Sequence, residues 1–271
     1  MRLALLAFTL TWPVAMAQQP RLASGRIEVS AAGSNLGQQL RGFSGPTWVG
    51  YTVEAVPGQR GCCTTINNGT CSMGCALEGG MIEGSTCPAE STAYLEGERS
   101  ATILFRIDKG EVERVRVFSP SCQLDIAGLT LHWLTGVRPA ESVSVLRSLA
   151  VKNTLSAIGV HADPSAEAFL RETAFSTNAI RNDRERAAHS LAATRGPSGL
   201  AVVLKLLQTD TDERFRESLP GAIASASNGT PALIDIATND KSRKVRERAF
   251  FWLGRSKDAR AQKFVEVILS K

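Results

Sequence analysis

VRERAFFWLG, residues 245–254, repeats a pattern found earlier in the same chain. Its Arg246-Glu247-Arg248-Ala249 matches Arg184-Glu185-Arg186-Ala187, 62 residues upstream, and Arg216-Glu217-Ser218-Leu219 lies between the two. Sixty-two is two periods of about 31, and a period of that size marks stacked supersecondary units. Each tetrapeptide opens a helix; a loop and a second, apolar helix follow. Those second helices read GLAVVLKLL (199–207), TPALIDIA (230–237) and AQKFVEVIL (261–269). A fourth copy lies upstream. IGVHADPSAEAFL (158–170) aligns without a gap on LGRSKDARAQKFV (253–265), with Gly159 on Gly254, Asp163 on Asp258, Ala166 on Ala261 and Phe169 on Phe264. Anchoring on Ile158, Leu191, Ile223 and Leu253 gives steps of 33, 32 and 30 residues.

One helix pair cannot bury its apolar face alone, whereas stacked pairs make a continuous core. Residues 152–271 are therefore expected to form an α-solenoid of about four helix pairs. A linker at 131–151 carries a capping helix over Pro139–Ala150. Arg184, Arg216 and Arg246 hold the same place in successive first helices. They read as structural repeat positions, bonded to loop carbonyls or to acids such as Asp183 and Asp212. Pro220-Gly221 falls where the other copies have apolar helix formers, which predicts a kink or a shortened helix.

The VRERAFFWLG segment, the Asp-Ala-Arg-Ala after it (258–261) and the period of about 31 resemble bacterial HEAT-like repeats. HWLTGVRPAESVSVL (132–146) and AIGVHADP (157–164) resemble exported bacterial proteins that carry a small N-terminal domain before HEAT repeats. The resemblance implies a right-handed stack of antiparallel helix pairs used as a protein-binding scaffold, and it implies no reaction. HEAT-like repeats also occur in bilin lyases, but the repeat half has neither Cys nor Tyr, which argues against that reading.

The front half changes period. GRIEVSAA (25–32) alternates Ile27, Val29 and Ala31 with polar residues, as a half-buried strand does. TWVGYTVEAV (47–56) is rich in aromatic and β-branched residues and ends at Pro57-Gly58. In ATILFRIDKGEVERVRVFS (101–119) two such runs flank Asp108-Lys109-Gly110, the signal of a hairpin. The fold class expected is α+β: a small disulfide-bearing antiparallel β domain over 18–130, followed by the solenoid.

All six cysteines fall in that front half: Cys62, Cys63, Cys71, Cys75, Cys87 and Cys122. Their role depends on compartment. The chain opens with Arg2, an apolar run from Leu3 to Val14 and Ala15-Met16-Ala17, the form of a secretory signal peptide over 1–17. The run is shorter than the roughly 20 residues that span a bilayer. Export, periplasmic or extracellular, is the expectation, with no stable membrane insertion. Oxidising surroundings favour disulfides, each worth about 2–4 kcal/mol. The alternatives are a zinc site, with Cys71 and Cys75 as one ligand pair, and a redox protein using the cysteine-rich loop.

The chemistry of an active site is sparse. The three histidines, His132, His161 and His189, have no partner at metal-ligand spacing, and no catalytic motif occurs. No catalytic residue, metal or cofactor is assigned. His161 falls at a helix end, where its charge would suit the dipole; His189 reads as a packing or surface residue. Asn68-Gly69-Thr70 and Asn228-Gly229-Thr230 read as turns. From residue 182 to 271 there are 16 Lys and Arg against 11 Asp and Glu, so most of the excess positive charge lies there. The expectation is a non-catalytic protein–protein interaction scaffold of the bacterial cell envelope that binds another protein, not nucleic acid. It would do so through a concave face of second helices presenting Lys205, Asp235, Lys263 and Glu266. The alternative partner is an anionic envelope polymer on the basic repeat face.

Overall fold

The computed structural model describes residues 19–57, 65–67, 70–72, 74–79 and 99–270. The stretch 1–17 read above as a signal peptide, Cys62, Cys63, Cys87, the side chain of Cys71, and Asn68-Gly69 lie outside the described residues. The front half is built on a six-stranded sheet in the order β1-β8-β2-β6-β7, with β5 on the side of β8 that β2 leaves open. The strands are β1 (Arg21–Ala31), β2 (Thr47–Glu54), β5 (Gly74–Ala76), β6 (Ser100–Asp108), β7 (Glu111–Phe118) and β8 (Gln123–Thr135). A separate ribbon pairs β3 (Thr65–Asn67) with β4 (Thr70–Ser72).

The sheet is mixed, which corrects the expectation of an antiparallel domain. The hairpin β6–β7 and the pair β2–β6 are antiparallel. β1, β2 and β5 all run parallel to β8. Helix α1 (Leu36–Arg41) links β1 to β2 as a crossover, burying Leu36 and Leu40, and this sets the two strands in one direction with β8 between them. A six-residue helix leaves almost no periodic trace, and β8 is broken by Ala127 and Gly128, both at positive φ. These two features hid the parallel core. β8 also carries residues 131–135 into the sheet, past the boundary expected at 130. Of the six cysteines, Cys75 and Cys122 are the two whose side chains are described, and each is disulfide-bonded. Cys75 and Cys122 are buried together on one face of the sheet with Trp48, Leu104 and Trp133, and neither is a free thiol.

The hairpin turn places Lys109 at φ 52° and Gly110 at φ 78°, the doubly positive geometry that suits the twist of the flanking strands. On the face shared with Cys75, Glu78 closes the edge of the 74–79 segment. Its carboxylate accepts from Trp48 Nε1 at 2.8 Å and binds Arg106 at 2.5 Å and Arg114 at 3.1 Å.

The other face of the sheet does not end at a domain boundary. Val49, Tyr51, Ile103, Phe105 and Leu134 share one continuous core with the helices, as far as Ala261. Helix α2 (Pro139–Ser148) lies at the junction. The helix pairs that follow are α3 (Thr154–Val160) with α4 (Pro164–Phe175), α5 (Arg181–Thr194) with α6 (Gly196–Thr209), α7 (Glu213–Ala224) with α8 (Gly229–Asn239), and α9 (Arg243–Arg255) with α10 (Ala259–Leu269). Asp163, Asp212 and Asp258 cap α4, α7 and α10 by accepting first-turn amides. Helix α7 runs unbroken through the buried Pro220 for four more residues. Neighbouring helices hold it there, and proline removes only the bond to the Arg216 carbonyl.

The repeated arginines form a ladder. Buried Arg184 donates to the Ala174 carbonyl at the end of α4, pairs with Asp210 after α6, and lies 3.9 Å above the Phe215 ring. Buried Arg216 donates to the Leu207 carbonyl at 2.8 Å and to both oxygens of Asp240 at 3.1 Å. Arg246 donates to the Asp240 carbonyl at 2.7 Å. The acids are Asp210 and Asp240, in place of Asp183 and Asp212; Asp212 binds Arg181 instead.

A buried polar chain pins the array to the sheet. His161 Nδ1 lies 2.7 Å from the Ala157 carbonyl and so carries the proton. Its Nε2, at 2.8 Å, then accepts from Ser142 Oγ, which accepts from Tyr51 Oη at 2.7 Å. All three side chains are buried. Around them the backbone of Ala55 bridges His161, and Ala162 donates to the Glu54 carbonyl. Burial pushes the Tyr51 hydroxyl well above its ordinary pKa. It pushes His161 below 6.5, and Arg195 opposes protonation while Asp163 favours it. His161 is therefore a neutral acceptor and not the helix-end cation expected. A histidine whose folded pKa lies below its unfolded value leaves stability intact above about pH 6.5; stability is lost as pH falls from there through the folded value. Urea midpoints are expected to fall between pH 7 and pH 5.5. The limiting slope is about 1.4 kcal/mol per pH unit for one such histidine. A midpoint constant over that window would contradict this.

Candidate functional site

The two rows of helices differ in how closely they pack. First helices touch in succession, α3 on α5, α5 on α7 and α7 on α9, while second helices barely meet one another. Small residues allow this. A Cβ on Gly159 of α3 would stand 2.1 Å from Ser190 Oγ of α5, and one on Gly221 of α7 would stand 3.2 Å from the Trp252 indole of α9. Ala187, Ala222 and Ala249 fill the same row. A stack whose first helices lie closer bends toward them. The concave side is the first-helix row, not the second-helix row expected from the sequence.

A groove of about 530 Å³ runs along that side. Its walls are Ser156 and Gly159 of α3, Glu185, Arg186 and His189 of α5, Ser218 and Gly221 of α7, and Trp252 of α9. Past His189, Gly221 and Trp252 it continues into a hollow of about 280 Å³ reaching Arg255 and Thr230. Trp252 is half-buried, its indole against Gly221, and the exposed Phe251 meets it edge-on at 5.5 Å. Surrounding protein lowers the pKa of His189 below 6.5 by desolvation, so it is a neutral imidazole at pH 7. Arg243 and Lys244 are paired, with Glu247 and Glu217. Arg186, Arg248 and Arg255 have no carboxylate partner among the described residues. Glu185, which has no cation partner among the described residues, is the one acid among the groove's lining residues.

Lys205, Asp235, Lys263 and Glu266 are all exposed on the second helices, away from this groove. Lys205 Nζ stands 5.9 Å from the Phe175 ring centroid, and Asp235 accepts from Asn239 at 2.7 Å. No ion pair or hydrogen bond joins any two of the four. Sequence reading singled out His189 and the Pro220-Gly221 anomaly without joining them. The usable signal was the run of small residues at first-helix positions 159, 190, 218, 221 and 222.

Among the described residues no cluster of three or more His, Cys, Asp or Glu is arranged to hold a metal ion. Nor is any described helix long and apolar enough to cross a membrane. The fold and groove define a mixed α/β-sheet domain fused to a stack of helix pairs. No family model matches the chain, and no curated protein is similar to it.

Proposed function

We propose that this protein is a non-catalytic docking scaffold that holds a partner protein in the groove of its first helices. One observation carries the reading: a single continuous groove lined from four successive helices, α3, α5, α7 and α9. Its walls mix small and apolar side chains, among them Val160, Leu219 and Trp252, with polar and charged ones such as Glu185, Arg186 and His189. The resemblance to HEAT-like repeats points the same way. The leader-like composition of residues 1–17 supports a location in the cell envelope.

A photo-crosslinking amino acid separates the two faces. It is placed at Ala193, exposed on the groove wall of α5, or at Lys263, exposed on α10. In cells, the Ala193 probe is expected to capture one discrete partner protein and the Lys263 probe none. Capture from Lys263 alone would move the site to the second helices. No capture from either position would overturn the docking reading.

A further inference from the structure

The groove carries a charge pattern as well as a shape. Arg186 stands on its wall, and Arg248 and Arg255 share the Trp252 face of α9 at spacings of four and three residues. All three lack carboxylate partners among the described residues, in a chain whose other exposed cations on α9 and α10 are largely paired. Two of them flank an aromatic: Arg248 and Arg255 lie 5.9 and 5.7 Å from the Phe251 ring, and Phe251 is 48% exposed. Glu185 offsets one charge, and His189 between them is neutral at pH 7. The local balance is positive around an apolar floor.

From this we infer that the groove takes an acidic, extended segment of a partner protein, with one apolar side chain seated against Trp252 and Phe251. This rests on the docking reading above. Arginine suits the role because its planar fork meets carboxylates in pairs and stacks on aromatic faces. Ser218 of α7 and Ser225 just past its end are small, and they leave room beside Trp252 for a segment to lie between α5 and α9.

The test uses the full chain and three labelled synthetic peptides, read by fluorescence anisotropy. One is made of Glu and Ser with a central Phe. The second has Ser for that Phe, and the third has Lys for Glu. The first is expected to bind about tenfold more tightly than the second, and the third not to bind. Arg186→Glu with Arg248→Glu, both exposed, should weaken the first peptide about tenfold at an unchanged melting temperature. Binding should also fall steeply with added salt. The inference is overturned if the Lys peptide binds as well, if the double variant binds as well, or if no peptide binds at about 1 mM. It is also overturned if dextran sulfate binds the same arginines and the Phe adds nothing, which would make the ligand a polyanion. The crosslink from Ala193 decides the docking reading independently. A partner captured there while every acidic peptide fails would leave docking intact and remove the acidic segment.

Discussion

Replacing Arg216 by Ala is expected to destabilise the array by about 3–5 kcal/mol, the cost of stripping one partner from a buried ion pair. Arg216 is 6% exposed and its guanidinium joins two repeats. One nitrogen satisfies the Leu207 carbonyl at the end of α6, and another holds Asp240 after α8. Alanine leaves that carbonyl and a largely buried carboxylate without their donor, and it removes the aliphatic stem from the core. For a chain of this size the melting temperature should drop by roughly 10 °C. Arg246→Ala provides the contrast. Arg246 is half-buried and reaches only backbone carbonyls, so about 1 kcal/mol is expected. The double variant Arg216→Met, Asp240→Leu should recover most of the loss, since removing both charges ends the desolvation penalty. Equal effects at 216 and 246, measured by urea titration, would show that the ladder is not an inter-repeat clamp.

Gly229→Ala and Gly199→Ala should each cost about 3 kcal/mol, though both glycines lie in helices where Ala is intrinsically favoured by about 1 kcal/mol. An added Cβ at Gly229 would lie 1.9 Å from the Ile223 carbonyl oxygen, and one at Gly199 would lie 1.9 Å from that of Leu191. The obstacle is backbone of the preceding helix, which cannot rotate aside, so overpacking wins over propensity. Gly254→Ala is the control. Nothing lies within 4 Å of its Cβ position, and the substitution should be neutral or stabilising by up to about 1 kcal/mol. Destabilisation at 254 equal to that at 199 and 229 would remove close helix approach as the cause.

Those glycines also explain the uneven spacing of the repeats. Leu191 and Gly199 are eight residues apart, as are Ile158 and Ala166, and Leu253 and Ala261, whereas Ile223 and Gly229 are six apart. The third pair turns more tightly, and its step of 30 residues follows. Asn228-Gly229 is therefore not a free turn but the point where α8 crosses the end of α7.

The sequence by itself determined the helix pairs, because the 31-residue period, the aligned Asp163 and Asp258, and the recurring arginines are all local or repeated signals. It determined the β6–β7 hairpin for the same reason: Asp108-Lys109-Gly110 dictates the turn within ten residues of each strand. It also located the ladder positions Arg184, Arg216 and Arg246, though not the acids that hold two of them. Only the tertiary structure decided what depends on distant pairing. β1 meets β8 across about a hundred residues, and no local pattern records that direction. The chain Tyr51–Ser142–His161 joins three elements whose side chains look unremarkable one at a time. The choice of concave face followed from glycine and alanine at helix contacts, where a missing side chain is what brings two helices together. An absence of bulk writes no hydrophobic period, so the groove at Trp252 and Gly221 became visible only when the stack was assembled.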